Sequence, residues 1–362
     1  MPLSNYHKKG GQTEKHINIL ILFIIVFIFI TLFLFSTLLL AGTLKSSKHS
    51  AANPPITLTI TNTQSLPTII GMQQEILLNV SSSQFAGKVA PDLGNLRFYS
   101  GANELYSWCE ANCSSSASGD SIFWIRLPFS IGASSSKNIN VTFLPKNTEY
   151  DGVYAGESPQ QSNSYAKYDN GANVFPFLYQ NFVGTNVPSG WIENGSTINN
   201  GVITTGTYAY IITSATYGLN SSQILDLKGN ITSSGLYSGQ SGYITSKGDT
   251  GINPTLTASI TNASVCGGNY FAHGEQTRDT GNICMRASTT SDNIFSIYYP
   301  NSSISKIMTN YSNTIILNSG LPSSKISIGT WTRFSYIKTY ITWIRLRTYP
   351  PNGVMPTISF SS

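Results

Sequence analysis

Four histidines, four cysteines and 16 acidic residues are what this chain of 362 residues offers for acid–base, nucleophilic or metal chemistry. His7, His16 and His49 precede the first strand-like segment, leaving His273 as the base that serine or cysteine hydrolysis would need. No Gly-x-Ser-x-Gly elbow, phosphate-cradling Gly-x-x-x-x-Gly-Lys loop or Asp-rich calcium loop accompanies it. Glycoside hydrolysis needs two carboxylates about 5 to 9.5 Å apart. The chain has no Glu-x-Asp-x-x-Glu cluster, and Asp226, alone in Ile224-Leu-Asp-Leu-Lys228, is expected to be a surface or hydrogen-bonded strand residue. The expectation is a protein that is not an enzyme, with no catalytic residue, cofactor or metal.

Cys109 with Cys113 and Cys266 with Cys284 are local pairs, and two disulfides are their natural fate in an oxidising exterior. A zinc site is the alternative, but it would join distant regions that lack Cys-x-x-Cys spacing and a nearby His pair. The second pair closes a loop containing Asn269, Tyr270, Phe271, His273, Glu275, Arg278 and Asp279. Polar groups there could bind sugar hydroxyls while the rings stack on a sugar face, which makes the loop the candidate binding surface. A stapled surface excursion with no ligand is the plainer reading.

What must position these groups begins with a membrane span. Between Ile19 and Ala41 the only polar side chains are Thr31, Ser36 and Thr37. At about 1.5 Å per residue this helix crosses a hydrocarbon core of roughly 30 Å. It is longer than the apolar part of a signal peptide, and Leu40-Ala41-Gly42 is a weak cleavage site, so an uncleaved anchor is expected. Lys8, Lys9 and Lys15 precede it and Lys45 and Lys48 follow, a slight bias that places the N-terminus inside and the rest outside. Sequons at Asn79, Asn112, Asn140, Asn194, Asn220, Asn230, Asn262, Asn301 and Asn310 all follow the span and are candidate glycosylation sites, although a chain rich in Asn, Ser and Thr produces some by chance. Only 10 % of residues are charged and the net charge is +5, too diffuse to neutralise a row of phosphates, so nucleic acid is not an expected partner. So few carboxylates also leave little to lose in acid, and tolerance of an acidic exterior is expected.

Organisation follows from these patterns. Residues 1–16 read as a cytoplasmic tail, 17–42 as the transmembrane anchor and 43–55 as a stalk. In Ile56-Thr-Leu-Thr-Ile-Thr61 apolar residues occupy every second place, the mark of a strand with one buried face. Short runs of this kind recur to Leu144 and predict a small β-sandwich over 56–156. The polar run 157–170 reads as a linker or inter-domain crossing. Beyond it, 171–362 offers enough strands for a larger jelly-roll-like sandwich, including Thr357–Phe360. In Trp343-Ile-Arg-Leu-Arg347 the two arginines share a face with the indole and Ile344 and Leu346 the opposite, buried face. The fold class is an all-β exterior with one N-terminal transmembrane helix.

The order Asp92-Leu-Gly-Asn-Leu-Arg-Phe-Tyr, Leu105-Tyr-Ser-Trp-Cys-Glu110, Ile122-Phe-Trp-Ile-Arg-Leu-Pro128 and Ile139-Asn-Val-Thr-Phe-Leu144 resembles a small β-sandwich family of unknown function. That family occurs on bacterial and archaeal surface proteins beside concanavalin-A-like or laminin-G-like modules, and the match covers roughly residues 57 to 155. Its signature falls on Arg97-Phe98, Trp108 with Glu110, and Trp124 with Pro128; Cys109 stands where an aliphatic residue is usual. Tyr168-Asp-Asn-Gly-Ala-Asn-Val-Phe175 and the segment from Trp343 to Pro356 look like those of archaeal membrane-anchored surface proteins that pair this domain with a concanavalin-A-like sandwich. The resemblance implies a surface architecture and no catalysis. The expected protein is therefore a single-pass surface protein whose partners are membrane lipid, through its helix, and glycans or other envelope proteins. A structural envelope component is the alternative, ahead of a carbohydrate-active enzyme or a pilin-like subunit, whose processing site Lys8-Lys-Gly-Gly would be followed awkwardly by charged Glu14 and Lys15.

Overall fold

Alternation in the first strand-like segment produces what it predicts. Ile56, Leu58 and Ile60 are buried and Thr57, Thr59 and Thr61 are not, so β1 (Ile56–Asn62) presents one apolar face. The computed structural model describes residues 54–218, 222–232, 237–246, 254–263, 270–275, 292–301, 304–317, 323–329 and 337–361. The expected membrane span, tail and stalk lie outside this set apart from the last residues before β1. Among the described residues no helix is long and apolar enough to cross a membrane.

The first layer pair uses β1, β2 (Gln73–Leu78), β3 (Leu96–Ser100), β4 (Asn103–Glu104), β5 (Ser107–Ala111), β6 (Ser121–Arg126), β7 (Ser135–Phe143) and β8 (Ala155–Glu157). One sheet runs β1-β7-β3-β4 and the other β2-β6-β5-β8. Leu58, Phe98, Val141 and Phe143 from the first meet Ile76, Phe123 and Ile125 from the second in one core, which makes this a sandwich. Cys109 and Cys113 are disulfide-bonded at the end of β5.

A short helix α1 (Gly171–Val174) and β9 (Leu178–Gln180) lead into β10 (Trp191–Asn199), β11 (Val202–Thr213), β12 (Tyr217–Gly218), β13 (Gln223–Thr232), β14 (Tyr237–Ser246), β15 (Pro254–Ala263), β16 (Tyr270–Glu275), β17 (Asn293–Asn301), β18 (Ile304–Thr309), β19 (Asn313–Leu317), β20 (Ser323–Gly329) and β21 (Ile337–Thr348). β11 changes partner along its length: Val202 to Thr205 pair with β21, Tyr210 to Ile212 with β20. One long strand thus joins two layers, β21-β13-β17-β18-β19 and β20-β14-β15-β16. Ile211, Ile326 and Ile328 from the second layer face Leu225, Leu227, Ile344 and Leu346 from the first, closing a second sandwich core.

β22 (Thr357–Ser361) departs from the sequence expectation. Sequence position groups Thr357–Phe360 with the second unit, yet β22 pairs antiparallel with β1 and forms the edge of the first sheet, where Phe360 packs edge-on against Phe85. The last described strand thus returns to the first sandwich, and residues Ala51 to Ser362 form one compact unit. Residues 157–170, expected as a linker, are tied down: Ser158 Oγ donates to the Glu110 carbonyl and Asn170 Nδ2 to the Ser107 carbonyl.

Candidate functional site

A cluster of buried charge lies where the sandwiches meet. Trp343, Arg345 and Arg347 on the outer face of β21 are all buried. Arg345 donates through Nη2 to Glu110 Oε2 at 2.8 Å and through Nε to Asp226 Oδ2 at 3.0 Å; Arg347 Nε reaches the same Asp226 oxygen at 2.7 Å. Ser296 Oγ donates to the other Asp226 oxygen at 2.7 Å. Trp124 Nε1 and the Tyr311 hydroxyl also donate to Glu110 Oε2, at 2.8 and 2.9 Å. The Arg345 guanidinium lies 4.3 Å from the Phe175 ring centre, 4.4 Å from Trp343 and 4.5 Å from Trp124, an aromatic box for a desolvated cation. Burial would raise the Asp226 carboxyl, but the flanking arginines and the hydrogen bonds outweigh it and hold it below the usual range. Asp169 plays a parallel role, accepting from Trp108 Nε1 at 2.8 Å and from Tyr179 and Asn181 at 2.7 Å each.

Next to this cluster lies an open cleft of about 310 Å³. Its walls come from the 157–170 segment (Gln160, Tyr165), the β10–β11 turn (Asn200, Gly201), Asp292 before β17, and Tyr340 and Thr342 of β21. A bulge shapes it: Lys228 pairs with Trp343 but Gly229 with Ile341, so Thr342 is an extra residue in β21. Ile341 and Ile344 both stay in the core, while Thr342 reaches the cleft. Gly229 is required opposite the bulge, because a Cβ there would lie 2.0 Å from the Tyr340 carbonyl oxygen. Gly201, at φ +79°, likewise leaves room for the Tyr165 hydroxyl.

The polar groups of the cleft differ in how they are satisfied. The Tyr165 hydroxyl is shared between the carbonyls of Asn181 at 2.7 Å and Thr342 at 3.0 Å, and burial pushes its pKa above the ordinary tyrosine range. Thr342 Oγ1 donates to Asp292 Oδ2 at 2.9 Å. Asn200 Oδ1 accepts from the Gly184 amide at 2.7 Å. Gln160 is the exception, since both its Nε2 and its Oε1 are buried without a hydrogen-bond partner. Among the described residues no group of three or more His, Cys, Asp or Glu side chains is placed to hold a metal ion.

No family model matches this chain. It is 28% identical over 339 residues to "Uncharacterized protein 562" of Sulfolobus islandicus rod-shaped virus 1, an alignment that takes in 83% of this chain but only 58% of that protein's length. Among solved structures it is similar to the carbohydrate recognition domain of Emp47p (10% identity, 46% of this chain and 92% of that one, TM-score 0.36). It is also similar to the VIP36 exoplasmic/lumenal domain in a Ca2+/Man3GlcNAc-bound form (9% identity, 47% and 92% coverage, TM-score 0.34) and to β-agarase A from Zobellia galactanivorans (10% identity, 47% and 89%, TM-score 0.34). Scores this low carry neither fold nor function to this chain.

Of the residues singled out from sequence, Asn269, Arg278, Asp279, Cys266 and Cys284 lie outside the described residues. Tyr270, Phe271, His273 and Glu275 were expected in a loop; they belong instead to the edge strand β16, paired with Asn262, Thr261, Ser259 and Thr257. Among the sequons, Asn79, Asn112, Asn194 and Asn310 are exposed and Asn140 is half-buried. Asn230, Asn262 and Asn301 fall in β13, β15 and β17, and Asn220 is outside the described residues. The family-like signature residues do structural work: Arg97 is buried against the Gly94 and Leu96 carbonyls, and Trp108 and Trp124 bond Asp169 and Glu110. The cleft itself was missed, because Gln160 and Tyr165 sit in the polar run read as a linker; an aromatic side chain within such a run was the one available signal.

Proposed function

We propose that this chain is a surface protein held by a helix through Ile19–Ala41, with its N-terminus inside, whose joined β-sandwiches bind glycans or other envelope components without catalysis. The observation that carries the reading is how charge is divided. Glu110, Asp226, Arg345 and Arg347 are sealed between the sandwiches, where they fix geometry and are closed to a substrate. The open cleft retains a single carboxylate among its lining residues, Asp292, whereas glycoside hydrolysis uses two. Neutral hydrogen-bonding groups beside tyrosines suit recognition. The similarity to a viral protein supports an archaeal cell or a virus infecting one as the setting.

A structural envelope role is the second reading, favoured by the outer face of the first sheet. There Thr57, Thr59 and Thr61 bond Asn140, Asn138 and Ser136 in an uncharged ladder suited to packing against a like surface. A glycan array probed with the full chain in detergent micelles separates the two. Saturable binding to defined glycans is expected; self-association with no glycan bound would reject the binding role in favour of the structural one.

A further inference from the structure

One pole of the first sandwich holds aliphatic side chains out to solvent. There β1 ends, β2 and β5 begin, β6 turns back into β7 and β22 starts, as the pairings of Asn62 with Ser135, Gln73 with Arg126, Ser107 with Ile125 and Thr61 with Thr357 require. In the β1–β2 link Leu66 is 53 %, Ile69 51 % and Ile70 71 % exposed, and Val354, just before β22, is exposed at the same end. The link is tied down. Buried Asn62 donates through Nδ2 to the Leu66 and Gly132 carbonyls at 2.8 and 3.0 Å, the Thr68 amide donates to the Ile131 carbonyl at 2.9 Å, and the Gly71 amide to the Leu127 carbonyl at 2.8 Å.

We propose that this pole rests on a lipid bilayer, the one that carries the Ile19–Ala41 helix, which builds on the anchored placement set out above. Three observations select lipid. Residues 62–74, 127–136 and 349–361 contain no Asp, Glu, Lys, Arg or His, so sinking the pole into hydrocarbon desolvates no ion. The backbone bonds just named are made within the protein, as an apolar medium demands. The rim then turns amphipathic: Arg126 Nε lies 3.8 Å from where a Cβ on Gly71 would stand, and Tyr106 and Tyr154, just before β5 and β8, stack with ring centres 4.9 Å apart. A cation and tyrosines suit the headgroup level. Asp151, the acid beside Tyr154, is turned inward, accepting at Oδ1 from the Val153, Tyr154 and Ala155 amides and lying 3.9 Å from Arg97. Reach permits the contact, since β1 is about 20 Å long and residues 42–55 span at most about 50 Å. A few aliphatic side chains bind a membrane weakly alone, and a tether to the same membrane supplies the effective concentration.

The test is hydroxyl-radical footprinting by mass spectrometry on the full chain in phosphatidylcholine vesicles, with flotation of the vesicles to read the anchor. Ile316 and Ile192, 54 % and 48 % exposed on β19 and β10, serve as internal controls. Leu66, Ile69 and Ile70 should label several-fold less than these at every protein-to-lipid ratio. Leu66→Ser/Ile69→Ser/Ile70→Ser, at exposed positions, should keep the melting temperature and restore labelling of Val354 and Tyr154. Labelling of the three residues at the control level, in a chain that floats, would overturn the contact and leave the anchor standing. Protection that fades as the protein is diluted in lipid would assign the pole to a second copy and equally overturn it. A chain that does not float with the vesicles would overturn both.

Discussion

Arg345 shows how much one side chain can hold together in a chain where only 10 % of residues are charged. It touches Glu110 of the first sandwich and Asp226 of the second, and all three are fully buried. Replacing it by Met leaves Glu110 without its cation and Asp226 with Arg347 alone, so Arg345→Met should cost about 3–5 kcal/mol in denaturant unfolding, and Glu110→Gln, which keeps an acceptor, less. The sharing of a face by Trp343, Arg345 and Arg347 was legible from period-two spacing. Their partner Glu110 was not, because no sequence pattern announces a contact between residues so far apart. At the same scale, Asn79 and Asn194 are exposed, with side-chain amide nitrogens that donate to no described residue, whereas the Asn112 Nδ2 is engaged by the Asp120 carbonyl at 2.9 Å. Glycopeptide mass spectrometry of protein from a glycosylating host should find Asn79 and Asn194 occupied ahead of Asn112.

Among the elements, strands with alternating apolar residues were readable and uncharged polar ones were not. β1 and β21 announced themselves, while β14 (Tyr-Ser-Gly-Gln-Ser-Gly-Tyr-Ile-Thr-Ser) carries too few apolar residues to be distinguished from a loop. The return of β22 to β1 was hidden for a different reason: Thr-Ile-Ser-Phe-Ser states its alternation but not its partner. The cleft depends on the bulge between β13 and β21, where Gly229→Ala would drive a Cβ into backbone and should destabilise by about 1–3 kcal/mol in denaturant unfolding. The Cys109–Cys113 bridge closes a very short loop, so Cys109→Ala/Cys113→Ala should lower stability by about 2 kcal/mol in the same unfolding assay.

For the molecule as a whole, low charge predicted tolerance of acid, and the structure supplies signs for it. Burial, reinforced by the negative charge of Glu110, raises the Glu75 carboxyl, and burial raises Glu157. A carboxyl raised on folding contributes stability at low pH that is lost as pH climbs through its folded value. Asp226 is lowered, so its contribution is complete above the ordinary Asp range, near pH 3.9, and is lost only as pH falls through a still lower value. Melting temperature should therefore rise as pH drops from neutral toward about 4 and decline only below that, measurable by circular dichroism; a steady decline from pH 7 downward would contradict these assignments. The predominantly β character of the described residues was legible from composition and spacing. Its fusion into one unit was not, because that rests on buried contacts between segments the sequence keeps apart.

Display of these sandwiches outside a membrane is the central claim of the proposed function. Cells expressing the full chain can be treated with trypsin before and after lysis and the released peptides identified by mass spectrometry. Peptides from beyond residue 43 should be released from intact cells, with sites in residues 1–16 cut only after lysis; protection of the later residues until the cells are broken would contradict it.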